Sequence, residues 1–106
     1  PCFHIALVCD VSPNCDCHAE NDIPIIPNVG MFASFDPVAL DVACADACNR
    51  QPVIAGSVLA ENVAGHGHCD HKDHFHMTHP DTEWKSCIAH AVKIGLGTDQ
   101  YELVRI

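Results

Sequence analysis

Two cysteines one residue apart, followed at once by a histidine, stand out in the stretch CDCHAENDIPIIPN, Cys15 to Asn28. Thiolates are soft ligands that suit zinc, copper(I) and iron–sulfur chemistry, and two of them on one short loop can grip a single ion. Cys15, Cys17 and His18 are therefore the first candidate metal ligands. A redox pair is conceivable, but two cysteines this close do not pair easily with each other. The other reading is a turn with one thiol buried, because zinc and cluster sites more often use C-x2-C or longer spacing. The spacing alone leaves metal binding and a structural turn level.

A second ligand-rich stretch, HGHCDHKDHFHMTH, holds six histidines and Cys69 within fourteen residues. Neutral imidazoles and carboxylates are the usual ligands of zinc, iron and other divalent ions. In an extended chain His74 and His76 share a face, as do His66 and His68. Two or three of the six would serve one site, and the bland alternative is a solvated histidine loop. A third group is Asp36 and Asp41 with Cys44 and Cys48, since positions 41, 44 and 48 share one face of a helix. Core filling by the cysteines and capping by Asp36 explain most of that group. Asp41 in so apolar a helix predicts a buried carboxylate that needs a partner, a metal or one of its histidines.

The wider composition bounds these candidates. The chain has 106 residues, 48% of them hydrophobic and 18% charged, which is one globular domain at most. A net charge of −9 argues against nucleic acid or an anionic membrane surface as partner, since both need basic patches. No apolar run approaches the ~20 residues of a spanning helix. With eight cysteines and nine histidines in a chain that is not loop-rich, a reducing cytoplasm with thiols free for metal is expected, rather than a disulfide scaffold. The opening PCFHIALVCD has no targeting features and is strand-like from the start, the expectation for a piece of a longer protein.

The elements that must position these residues follow from pattern. Phe3 to Val11 reads as a buried strand ended by Ser12-Pro13-Asn14. Pro24 and Pro27 make 15–28 a loop, and Val29 to Phe35 a second strand. Asp36-Pro37 opens a helix, PVALDVACADACN, apolar almost all round and so largely buried. VIAGSVLAENV fits either a short helix or a loop with a helical turn, and 65–79 shows no period and reads as loop. Pro80 to Glu83 starts another helix, with Trp84, Cys87, Ile88, Ala91 and Ile94 as its core stripe and Gly95 as its stop. YELVRI alternates and predicts a final strand. Cys2, Cys9 and Cys87 read as core filling. The fold class expected is α/β or α+β, a small mixed sheet of three or more strands covered by two or three helices. The cysteine loop then leaves the end of a strand, where ligand sites of α/β sheets collect.

The block CDCHAENDIPIIPNVGMFASFDPVALDVACAD, Cys15 to Asp46, resembles the DUF362 proteins, a bacterial and archaeal family of unassigned activity. The pattern carrying the likeness is C-x-C, then N-D-x-P-I-x-P-x-x-G, then S-x-D-P-V-A-x-D. Asp73 to Ile106 resembles the C-terminal end of the same family. The resemblance implies the C-terminal portion of an iron–sulfur-associated protein whose ferredoxin-like insertion, with its C-x2-C-x2-C-x3-C runs, is not in this chain.

Together these features predict a single domain, 1–106, that acts as a metal-binding module with a redox role. Cys15, Cys17, His18, His74, His76, His79, Asp36 and Asp41 are its candidate ligands. The expected cofactor is mononuclear zinc or iron, with an iron–sulfur cluster as the alternative. The expected partners are that ion and the remainder of a longer protein with a ferredoxin-like domain. Two other functions stay open: half of an enzyme site completed by that remainder, and a structural zinc staple. For the metal reading the loops 15–18 and 73–79 must meet in space. Asn21-Asp22 and the prolines are expected to be the scaffold of the first loop.

Overall fold

The structure, a computed structural model, describes residues 1–65 and 72–106. His66, His68, Cys69 and His71 of the histidine tract lie outside the described residues. Strands β1 (His4–Val8) and β2 (Gly30–Ser34) are followed by helices α1 (Pro37–Asn49), α2 (Val58–Gly65), α3 (His74–Thr78) and α4 (Trp84–Lys93). The protein is thus a mixed α/β fold.

β1 and β2 pair antiparallel, with Ala6 opposite Phe32 and Val8 opposite Gly30. The ribbon follows from two short β-branched and aromatic runs whose ends are drawn together by the loop between them. Val29 N–H donates to Val8 O at 2.9 Å, and Asp10 N–H donates to the side-chain oxygen of Asn28 at 2.8 Å. Asp10 takes a positive φ of 49° at that turn, a conformation aspartate tolerates better than most side chains.

α1 packs against both strands and touches α3 and α4. Asp36 caps it, its Oδ1 accepting from Val38 and Ala39 N–H at 3.0 Å each. Seven of its residues are buried, from Val38 to Cys48, as its all-round apolar pattern requires. The core closes over Val8, Ile25, Ile26, Cys48, Leu59 and Met77, so the PIIP loop itself supplies two of the buried side chains. Ile54 N–H donates to Ile25 O at 2.9 Å and ties the segment before α2 to that loop.

Several expectations are corrected. The sheet has two strands among the described residues, not three or more. Residues 101–106 form no strand and are exposed throughout. Alternation creates a strand only where a ladder partner is offered, and the C-terminal segment is drawn elsewhere. Thr98 N–H donates to Asp36 Oδ2 at 2.9 Å, and the Tyr101 hydroxyl donates to Asp46 Oδ2 at 2.7 Å.

The open segment 65–79 contains α3. Its Asp73 cap accepts from His76 N–H, and Asn49 Oδ1 accepts from His74 N–H at 2.8 Å, so tertiary bonds build a helix too short to declare a period. VIAGSVLAENV resolves into α2. α4 starts at Trp84 with Glu83 as its cap, four residues after Pro80. Trp84, Ile88 and Ala91 are half-buried, but Cys87 and Ile94 face solvent, so the core stripe is narrower than expected. Cys2 is exposed as well, and Cys9 is partly buried.

One face of the ribbon is bare. Phe3, Ile5, Leu7, Met31 and Phe35 are 56%, 62%, 68%, 71% and 70% exposed, and the rings of Phe3 and Phe35 meet at 4.9 Å. Strands apolar on both faces are characteristic of sheets covered on both faces. The radius of gyration is 14.6 Å, against about 13 Å expected for a compact chain of this length.

Candidate functional site

The loop leaving β1 is organised from its base outward. Ile25 N–H donates to Val11 O at 2.8 Å and closes the base. Above it, Asn14 and Asn21 clasp each other. Asn14 N–H donates to Asn21 Oδ1 at 3.2 Å, and Asn21 Nδ2 donates to Asn14 O at 3.0 Å. Asn21 Nδ2 also reaches Ser12 Oγ at 3.0 Å, and Asn14 Nδ2 reaches Glu20 O at 3.1 Å. Short carboxamides that bond nearby backbone are the usual means of fixing such a turn. The expected scaffold role of Asn21 is met.

Within this clasp, His18 N–H donates to Cys15 O at 2.9 Å, a tight turn that puts both cysteines at the exposed tip. The Cys17 thiol donates to Cys15 Sγ across 3.2 Å. The Cys15 thiol is held below its ordinary value, chiefly by the Cys17 backbone N–H and then by the Cys17 S–H. Cys17 moves the other way, because its proton is held by Cys15 and a second negative charge beside the first is unfavourable. The two sulfurs act as one titrating unit. His18 turns its Nδ1 to the backbone of Glu20, 3.0 Å from its oxygen and 3.2 Å from its nitrogen. Nε2 is then the ring nitrogen a ligand would meet.

The other expected ligands are held elsewhere. His74 is buried, its Nε2 donating to Gln51 O at 2.8 Å, while Nδ1 is buried without a hydrogen-bond partner. His76 Nδ1 lies 3.0 Å from Thr82 O. His79 Nε2 bonds the carbonyl of Pro13, so the end of α3 does rest against the base of the cysteine loop. The two loops approach each other through that bond, in which the candidate ligand His79 meets the backbone of Pro13 rather than the cysteines.

Asp36 gives its oxygens to three backbone amides, Val38, Ala39 and Thr98, and these hold its carboxyl below the usual range, Ala39 foremost. Asp41 is exposed, so it is not the buried carboxylate in need of a partner that the apolar helix suggested. Cys44 and Cys48, half-buried and buried, have their thiols pushed up by burial, Cys44 to about 11. They are inert next to the loop pair. Among the described residues no group of three or more His, Cys, Asp or Glu side chains is placed to hold a metal ion. The donor chemistry of Cys15 and Cys17 fits a thiophilic ion, but they are two donors, half of a tetrahedral zinc set or of the four thiolates a cluster takes.

Sequence reasoning missed the surroundings of Asp73. Its buried carboxylate takes the indole N–H of Trp84 at 3.1 and 3.2 Å, besides capping α3. Beside it an open cleft of about 400 Å³ is lined by Asp46, Asp73, Asn49, Arg50, Lys72, Trp84 and Lys85. Three of the five basic residues of the chain gather there, a grouping invisible in a sequence that spreads them over 36 residues.

The geometry is that of an α/β segment presenting an ordered, exposed dithiol loop at the end of a strand. Residues 2–46, which hold β1, the dithiol loop, β2 and most of α1, match the family model DUF362, described as a domain of unknown function. This is the family that the Cys15–Asp46 pattern resembles. No curated protein and no solved structure matches the chain. No described helix is long and apolar enough to cross a membrane.

Proposed function

We propose that this protein is a thiol-based metal-binding module of a DUF362-type protein with a redox role, in which Cys15 and Cys17 are the principal ligands. The observation that carries this is the pair of exposed sulfurs held 3.2 Å apart on a clasped loop, one of them acidified. A mononuclear zinc or iron ion would displace the protons of both thiols, and an iron–sulfur cluster would require two more thiolates from outside the described residues. His18 is the nearest third ligand, through Nε2. His74, His76 and His79 each bond a backbone carbonyl through one ring nitrogen, which fixes the ring and leaves the other nitrogen for a ligand, but none of them is grouped with the two sulfurs. Bound metal would supply charge neutralisation and, if iron, an electron site; the chain supplies the ligands, the loop that orients them and a negatively charged surround.

The bare face of the ribbon supports the expected partner, the remainder of a longer protein. Five large apolar side chains on one side of a helix-covered ribbon want a further layer over them. That the remainder includes a ferredoxin-like domain, and that the setting is cytoplasmic, rests on the family likeness and the abundance of free thiols. A second function, half of an enzyme site, is favoured by the open cleft beside Trp84, where Asp46 and Asp73 stand with Arg50 and Lys85.

Metal analysis of untagged protein, wild type against Cys15→Ser and Cys17→Ser, tests the ligand assignment. Stoichiometric metal in the wild type that falls away in both variants supports it. Unchanged stoichiometry in both variants refutes it.

A further inference from the structure

The arrangement of the two sulfurs has a use that requires no metal. They project from neighbouring positions of one turn, both are exposed, and they are separated by 3.2 Å. A disulfide has its sulfurs about 2.05 Å apart, so closing the bond asks for a little over 1 Å of approach. The Cys17 S–H is directed at Cys15 Sγ, so Cys17 is the group placed to approach Cys15, and Cys15 the one placed to meet a substrate. That is the division of labour in thiol–disulfide exchange, which needs one attacking thiolate and one resolving thiol. The remaining described cysteines do not share it. Cys44 and Cys48 are on α1, partly buried and buried, Cys2 and Cys9 flank β1, and Cys87 is on α4.

The geometry points to a dithiol–disulfide couple in which Cys15 attacks an accessible disulfide and Cys17 resolves the product. In the first step Cys15 Sγ forms a bond to one sulfur of the substrate R–S–S–R′, and R′S⁻ leaves and takes up a proton. In the second, Cys17 loses its proton, its Sγ attacks Cys15 Sγ, and RS⁻ leaves. The two cysteines are oxidised to one disulfide and the substrate disulfide is reduced to two thiols. The Asn14–Asn21 clasp holds the ends of the turn while the tip closes, since its bonds involve backbone outside residues 15–17.

Glutathione disulfide is the probe, applied to the full chain with chelator present, so that the outcome is independent of metal binding. The products are mapped by mass spectrometry of peptides after blocking free thiols. The wild type is expected to lose two hydrogens on the peptide holding Cys15 and Cys17, with no glutathione retained there. Cys17→Ser is expected to retain glutathione on Cys15, and Cys15→Ser to acquire it more slowly on Cys17. Both sites are exposed, and circular dichroism checks that the variants remain folded. Glutathione that stays on Cys15 in the wild type, or oxidation that joins Cys15 to a cysteine other than Cys17, overturns the couple. Failure here leaves the ligand assignment to its own metal analysis.

Discussion

Asn21 holds Asn14 from both sides: its carboxamide oxygen accepts the Asn14 N–H at 3.2 Å and its nitrogen donates to the Asn14 carbonyl at 3.0 Å. Cys15 and Cys17 sit at the tip of the loop that this clasp closes. Asn21→Ala removes these bonds and the one to Ser12 Oγ. It is expected to cost about 1–2 kcal/mol in urea unfolding and to weaken metal binding by the cysteines. Unchanged unfolding and unchanged metal affinity would show that the clasp does not hold the loop.

The thiols should separate by reactivity. The Cys17 amide and thiol hold Cys15 below the ordinary thiol value, while burial pushes Cys44 up to about 11. Since the thiolate is the nucleophile, Cys15 is expected to alkylate first and to do so at lower pH. Cys44 should stay protected in the native chain until well into the alkaline range. Peptide mapping after brief iodoacetamide treatment across a pH series reads this directly, and equal labelling of the two would contradict it.

Asp36 makes stability depend on acid. Its carboxyl is held below the value of 3.8 expected of an unfolded chain, by the amides of Ala39, Thr98 and Val38 in that order. A group with a depressed folded value contributes its stability fully above the unfolded value and loses it as pH falls through the folded one. The wild type should therefore lose stability below about pH 4. Asp36→Asn should begin less stable at pH 7 and show a flatter acid limb in thermal melts. An acid limb as steep as that of the wild type would rule Asp36 out as a contributor.

Gly97 is placed where a side chain cannot follow. A Cβ there would run into Asp36 Oδ1 and come within 2.9 Å of both Asp36 Cγ and Val38 Cγ2. Gly97→Ala is expected to destabilise by about 1–3 kcal/mol by displacing the cap and releasing the C-terminal segment. Chemical denaturation measures the loss, and a neutral substitution would mean that the segment does not press on α1.

What the sequence disclosed, and what it hid, divides by the range of the interaction. α1 was legible because its cap and its apolar content are local, and the proline loop because proline denies strand donors whatever surrounds it. The cysteine loop was legible as a turn for the same reason. α3 was hidden because Asn49, twenty-five residues away, supplies the bond to its first amide. YELVRI misled because alternation records a capacity to pair, whereas Tyr101 and Thr98 are taken by α1 and its cap. Asp41 misled because a helix rich in alanine can expose one position without showing a polar stripe. His74 and His76 lie close together in α3, yet each is taken up by a different backbone carbonyl, Gln51 or Thr82. No spacing rule reports that.

Metal bound through Cys15 and Cys17 should also be released on acidification, because protons compete with the ion for thiolate. The measurement that bears most directly on the central claim is X-ray absorption at the edge of the bound metal, zinc or iron, on the loaded full chain. For zinc, sulfur scattering at about 2.3 Å is expected in the wild type and expected to vanish in the Cys15→Ser, Cys17→Ser double variant. A first shell of nitrogen and oxygen alone in the wild type would contradict the assignment of these two cysteines as ligands.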